Sequence, residues 1–518
     1  MHDQENTNLL ATWEHAYGPT FVYRGFIGAP RLMTTDPVAI AHILHHAYAY
    51  PKPDFVRDSL ATMAAGHDGL LTTEGDQHRK QRRIIAPAFS KLHLDSLTPI
   101  FWDKAVQLRD LCLQQADAHD DAPRIDVLSW LARATLDVIG EAGFGYRFDA
   151  LSSQATHNEL SAAFAVIFST ARKFRVMTIL QAWFPVLRRF AHATMERIGL
   201  QLIDQKRTEI LADASSSKTA SASTPRTRDL LGLLIRSNLS SASASVSPHE
   251  KPHAAPPAPL NTREVLSQIS TFIAAGHETS ASALTWCLYA LARDTASQAR
   301  LRAELRRLAL EHEREKEQER EEQAQDEHEQ VQGSGGEGDG DGDALAARVQ
   351  ACTYLDWVVR EALRMHAPVT STMRVCARPG GDVVPLSVPV RAGAGKQEKE
   401  HVQGTGSGSG EWSVRVAEGD IITIPIQAVN RCTRLWGADA GEFRPERWAD
   451  LPAGARSIPG LLSGMLTFLN GNGSVGAGNR ACIGWRFALA EIKIFLYVLV
   501  KDMEFWIDDG MVIEKRIK

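Results

Sequence analysis
The chain has 518 residues, 44% of them hydrophobic and 7% aromatic, enough apolar material for a sizeable buried core. Lys and Arg number 57 against 62 Asp and Glu, for a formal net charge of -5, and much of the acidic excess lies in one run. With no basic stripe, the composition argues against a nucleic-acid binder. Six scattered cysteines (Cys112, Cys287, Cys352, Cys376, Cys432 and Cys482) form no C-x-x-C pair, which argues against a disulfide framework or zinc site and for a reducing compartment.

The first ten residues are polar and lack a basic patch followed by an apolar run, so they predict neither signal peptide nor membrane anchor. Residues 20–35 read as a β-hairpin around Gly25-Phe26-Ile27-Gly28. Asp36-Pro37 then opens a helix, with Asp as N-cap and Pro in the first turn. Residues 89–210 carry a helical period, as at Phe164, Ile167 and Phe168. Residues 215–259 are rich in Ser, Ala and Pro, and loops or disorder are expected there. Asn261 with Glu264 forms a capping-box pattern that starts a long helix to Arg293. Its apolar stretch, 265–292, is interrupted by Gln268, His277 and Glu278, so a buried helix is expected, not a membrane span.

An acidic Glu/Gln run ending in Gly/Asp repeats fills 311–343; it predicts a solvated insertion whose first half extends the preceding helix as a charged rod. A second strong helix covers 354–366 and stops before Pro368. Short β pieces follow at 383–390 and 421–426, separated by a Lys/Glu and Gly/Ser insertion at 393–410. A last helix begins just after Cys482 and runs to about Lys501. The whole reads as mainly α with a small β region.

Four groups of residues break local rules or suggest chemistry. In Gly478-Asn479-Arg480-Ala481-Cys482-Ile483-Gly484 a cysteine stands at a helix entrance, where N–H groups and the helix dipole favour a thiolate; a buried structural cysteine is the commoner meaning of such a position. In Ala275-Gly276-His277-Glu278-Thr279-Ser280 a glycine and polar residues interrupt a core helix, which marks either a functional patch or a polar surface face. A Thr hydroxyl beside a carboxylate there can bond the preceding turn and pass protons. Glu361 and Arg364 share one helix face, usually a surface ion pair; Arg447 in Pro445-Glu446-Arg447-Trp448 offers a third partner. His78 and Arg82 lie four apart in a basic helix and, with Arg374 and Arg480, are suited to clamp two carboxylates of a large cofactor.

Together, in this order, these pieces resemble the cytochrome P450 family, of the eukaryotic microsomal and fungal kind: basic helix, A-G-x-E-T-S, E-x-x-R, P-E-R-W and G-x-R-x-C-x-G, spread from Gly75 to Glu491. The resemblance implies a single P450 domain over residues 1–518 and a haem-thiolate monooxygenase that inserts one atom of O2 into a lipophilic small molecule. It implies haem b (iron protoporphyrin IX) ligated by Cys482 as the metal ligand, with His78, Arg82, Arg374 and Arg480 at its propionates. Ala275, Gly276, Glu278 and Thr279 would line the oxygen pocket, and Glu361, Arg364 and Arg447 would form a buried triad. Electrons would come from NADPH-cytochrome P450 reductase, to a monomer on the cytosolic face of the endoplasmic reticulum membrane.

Three departures from the family pattern stand out. The aromatic residue expected seven positions before the cysteine is replaced by Val475, the nearest aromatic being Phe468, so 470–477 reads as an insertion. The N-terminal anchor usual in eukaryotic members is not seen, and the family's β-hairpin after the last helix is only partly present by Lys518. Two other readings stay open at this level: an O2-independent haem-thiolate isomerase or dehydratase, which the presence of Thr279 disfavours, and a haem-binding but inactive relic.

Overall fold
The computed structural model describes residues 3–25, 28–64, 66–117, 124–152, 159–160, 185–216, 229–243, 258–329, 340–390, 412–469 and 480–508. The longer helices are α1 (Asp3–Tyr17), α2 (Pro37–His45), α3 (Asp54–Met63), α4 (Gly75–Ile85), α5 (Lys91–Asp117), α6 (Val127–Phe144), α7 (Pro185–Ser216) and α8 (Leu230–Ser243). They continue with α9 (Thr262–Arg293), α10 (Thr295–Glu329), α11 (Gly340–Ala351), α12 (Thr353–Met365) and α13 (Trp485–Asp502). The strands are β1 (Thr20–Arg24), β2 (Pro30–Thr34), β3 (Thr372–Val375), β4 (Asp382–Leu386), β5 (Trp412–Val416) and β6 (Ile421–Ile424). The expected mainly helical fold with a small β region is what the chain adopts.

Local sequence explains the element starts. The Asp36 carboxylate accepts the Val38 and Ala39 amides and fixes the start of α2. Asn261 and Glu264 close a reciprocal capping box on α9. Two cores result. A helical core joins α5, α6, α9, α12 and α13 through Phe101, Ile139, Leu284, Val358 and Phe495. A second core, around Ile40, Ile43, Ile422 and Trp436, sits beneath a four-stranded sheet ordered β1-β2-β6-β3. In that sheet β2 and β6 run parallel, and β3 pairs antiparallel with β6, setting Arg374 opposite Ile422. β4 and β5 form a separate antiparallel pair.

Composition misled at one insertion. Within 215–259, where loops or disorder were expected, residues 230–243 form α8, with Leu230, Leu231 and Leu234 buried against the helical core. The leucine cluster is short enough to vanish in an average over forty-five residues, yet it buries enough apolar surface to order a helix. In the acidic insertion the helical extension reaches Glu329, and α11 begins at Gly340. The insertion at 393–410 lies outside the described residues, as do Phe164, Ile167, Phe168, 470–479 and 509–518.

Candidate active site
Cys482 sits in the turn that leads into α13, whose N-cap is Gly484. Its amide donates to the Phe468 carbonyl at 3.0 Å, which ties the cysteine turn to the half-buried aromatic chosen from the sequence. The residue is exposed beside a buried Ala481, yet the surrounding protein desolvates its sulfur. That desolvation pushes the thiol up; the Gly484 N–H and the Arg82 charge pull it down by less. The backbone donor and the cation favour the thiolate, as the helix entrance led one to expect, and burial opposes them. A coordinated metal ion deprotonates a thiol outright.

A cluster of basic residues includes one, Arg82, within reach of this sulfur. Arg82 on α4 is close enough for its charge to interact with Cys482, and burial lowers its own value. His78, one turn earlier and 4% exposed, is held neutral: burial, then Lys52 and Arg82, bring it down to about 3. Arg374, at 2% exposure, donates to Thr372 Oγ1 at 2.6 Å and to the Met373 carbonyl at 2.7 Å; burial lowers it to about 10. Among the described residues it meets no carboxylate within ion-pair distance. Arg480 pairs with the Glu74 carboxylate and donates to the Thr73 carbonyl at 3.2 Å.

Sequence reasoning missed Lys52. Burial, followed by Arg480, Arg374 and Arg57, drives its ammonium well below the usual lysine range, and it pairs with Glu74 at 3.1 Å. A lone lysine between Pro51 and Pro53 carries no motif; only the fold brings it into this group.

The polar patch of α9 presents one open face. Ala275 is exposed and Gly276, Glu278 and Thr279 are half-buried, while Ile273, Ala274, His277 and Ser280 are buried. Thr279 Oγ1 donates to the Ala275 carbonyl at 2.6 Å, the back-bond that loosens a helix locally. Gly276 has a packing reason: a Cβ there would lie 3.0 Å from Ile139 Cδ1 and Cγ1 of α6. Close approach of two helices accounts for that glycine.

Glu361, Arg364 and Arg447 come together with fully buried side chains. Arg364 Nη2 and Arg447 Nε both donate to Glu361 Oε1 at 2.8 Å, and Trp448 Nε1 donates to Oε2 at 3.0 Å. Arg364 also reaches the Asn430, Ala440 and Glu442 carbonyls at 2.9, 2.7 and 3.1 Å. The pair is thus no surface ion pair. It is a fully bonded buried network that fixes the segment 430–448 against α12.

The sequence model of one family, described as Cytochrome P450, matches residues 2–384 and 412–517. The chain belongs to the cytochrome P450 family. The break in the match, 385–411, encloses the Lys/Glu and Gly/Ser insertion. The chain is 35% identical over 513 residues to cytochrome P450 monooxygenase 128 of Postia placenta, covering 97% of this chain and 82% of that one. Cytochrome P450 monooxygenase 205 of the same organism is 37% identical over 512 residues, with the same coverage. Cytochrome P450 monooxygenase claO of Ampulloclitocybe clavipes is 30% identical over 507 residues, covering 96% and 81%. This P450 is a haem-thiolate monooxygenase, and its family uses a haem cofactor, a redox partner and lipophilic substrates.

The donor set fits that cofactor. One accessible thiol receives a backbone N–H and faces a cation. A desolvated Arg374 with Lys52 near it, and Arg480 and Arg57 also near that lysine, suits carboxylates that bring their own charge. No helix among the described residues is long and apolar enough to cross a membrane.

Proposed function
We propose that Cys482 would hold haem b through its sulfur in a P450 whose single domain spans the chain. When bound, the haem would supply activation of O2, which a thiolate ligand favours. The protein's own groups do the rest. Gly484 N–H and Arg82 hold negative charge on the sulfur. His78, Arg82, Arg374 and Arg480 bind the propionates, with Phe468 beside the cysteine turn. Ala275 and the Gly276 backbone border the oxygen side. Thr279, with its hydroxyl tied to Ala275, and Glu278 beside it hold and pass protons there. Glu361, Arg364 and Arg447 keep the proximal side in one packing.

Electrons are supplied by NADPH-cytochrome P450 reductase to a monomer at the cytosolic face of the endoplasmic reticulum, and the substrate is a lipophilic small molecule. The observation that carries the reading is the exposed Cys482 thiol set between the Gly484 amide and Arg82, bonded through its backbone to Phe468. The reduced, CO-bound spectrum tests it: the wild-type protein shows the red-shifted Soret band of a thiolate-ligated haem, and Cys482→Ala loses it. Survival of the shifted band in that variant refutes the ligand assignment.

A further inference from the structure
Two buried amides clamp one stretch of chain, residues 68–73, between α4 and α9. Gln81 on α4 is 0% exposed and Gln268 on α9 is 1% exposed. The Leu70 amide donates to Gln268 Oε1 at 3.0 Å, and Gln81 Nε2 donates to the Asp68 carbonyl at 2.7 Å. Thr73 Oγ1 donates to Gln81 Oε1 at 3.2 Å. Gln268 Nε2 donates to that same oxygen at 3.2 Å and to the Glu264 carbonyl at 3.2 Å. A backbone N–H only donates and a carbonyl only accepts, so Leu70 and Asp68 fix which way each amide faces. In that orientation the two glutamines complement each other, and every amide nitrogen and oxygen of the pair has a partner.

The clamp lies beside the proposed reacting side. Gln81 follows His78 by three positions on α4, and Gln268 precedes Ala275 by seven and Thr279 by eleven on α9. Those spacings set Gln268 on the same stripe of α9 as Ala275 and Thr279. Residues 68–73 therefore border that stripe about two turns before the polar patch. Of their two leucines, Leu70 enters the helical core and Leu71 stays half-buried. Gly69 permits the close approach: a Cβ there would collide with Thr271 Oγ1 and lie 3.0 Å from the Ser267 carbonyl. Gly66 and Asp68, with Leu266 and Ser270, line a cavity of about 500 Å³. Leu266 and Ser270 each lie two positions from Gln268, so helical period sets this free space on the other side of α9.

We propose that Gln81 and Gln268 are positioning residues for ligand size: by holding 68–73 against α9 they set how large a molecule reaches the reacting side. The inference deepens the functional reading above and rests on it for taking the Ala275 and Thr279 stripe as that side. The glutamines act through the backbone of Asp68 and Leu70. Moving 68–73 toward the cavity would strip a buried N–H, a buried carbonyl and both amides of their partners, whereas apolar packing alone would let the segment slide. The wall therefore has one favoured position.

Gln268→Leu tests it, since leucine neither accepts from Leu70 nor donates to Gln81. Hydrogen exchange of the purified ferric protein is expected to show protected amides over 68–73 that exchange several-fold faster in the variant, with α5 unchanged. Unprotected amides there in the wild type overturn the clamp. Imidazole and clotrimazole, a small and a bulky azole, each move the Soret band on reaching the iron, and stopped-flow mixing reads their association rates. In Gln268→Leu, clotrimazole association should rise several-fold while imidazole association, haem content and the CO-bound Soret band stay as in the wild type. Equal changes for the two azoles, or an unchanged clotrimazole rate despite faster exchange over 68–73, overturn the proposal. Thr73→Val removes a single hydroxyl bond and serves if Gln268→Leu does not fold. It should speed clotrimazole selectively but by less, and no selective change overturns the proposal. A wild type without an azole-sensitive Soret band would instead sink the haem-thiolate reading, while exchange over 68–73 still judges the clamp.

Discussion

The backbone amide of Cys482 and the carbonyl of Phe468 meet at 3.0 Å, although fourteen positions separate them in sequence. The turn that presents the thiol is therefore closed by this bond, and a connection shorter than the ten residues 470–479 is expected to let its ends meet. Removing seven of them, Asn472–Gly478, leaves Phe468-Leu469-Asn470-Gly471-Asn479-Arg480-Ala481-Cys482, with the aromatic seven positions before the thiol. That variant is expected to keep its haem content and Soret position. Its melting temperature should hold or rise slightly, because shortening a loop changes closure entropy by under about 1 kcal/mol. Loss of haem on deletion would show that the extra residues shape the thiol's surroundings.

Glu361 is the single carboxylate that Arg364 and Arg447 share at full burial. Glu361→Gln leaves Arg364 without a carboxylate and Arg447 with Asp439 alone, and removing one member of such a network costs about 3–5 kcal/mol. Chemical denaturation should record a loss of that order, and the haem-to-protein ratio should fall with it. Arg364→Lys should not rescue the fold, since one ammonium cannot span Glu361 and the Asn430, Ala440 and Glu442 carbonyls together. A stable, fully loaded Glu361→Gln protein would remove the network from the account of haem retention.

Much of this site was legible because its chemistry is written at short spacing. Glu361 and Arg364 share a face by helical period alone, and Asn261 with Glu264 announces a helix start that the hydrogen bonds reproduce. What stayed hidden depends on distant partners. The reason for Gly276 is Ile139, which lies 137 positions earlier on another helix. Lys52 joins the cations only because the loop before α3 meets β3 and the cysteine turn, and α8 hid inside a polar average. At the thiol, the Gly484 donor was legible at short spacing, whereas the burial that opposes it was not.

Arg374 separates cofactor binding from fold stability. Its guanidinium is desolvated, bonded to a hydroxyl and a carbonyl, and without a carboxylate within ion-pair distance among the described residues. Such a group burdens the protein without cofactor and is compensated only when an anion arrives. Arg374→Met should therefore leave the melting temperature of the haem-free protein equal or higher. The same change should speed haem transfer to an excess of acceptor protein several-fold. A variant that melts lower without haem, or retains haem as the wild type does, contradicts this division of roles.

Gly276 tests whether helix packing or the open face of α9 demands a glycine. Alanine would gain about 1 kcal/mol of helix propensity, but its Cβ would press on Ile139 at 3.0 Å, and overpacking costs about 1–3 kcal/mol. The expected net effect of Gly276→Ala is neutral to about 2 kcal/mol destabilising. Ile139→Ala removes both the Cδ1 and the Cγ1 atoms and by itself costs about 2–5 kcal/mol. Because the two changes relieve one another, the double variant should lose less than the sum of the singles, a coupling that denaturation of all four proteins resolves. Strictly additive losses would mean that the two side chains do not collide, and the requirement for glycine would then lie on the face of α9 that carries Ala275 and Thr279.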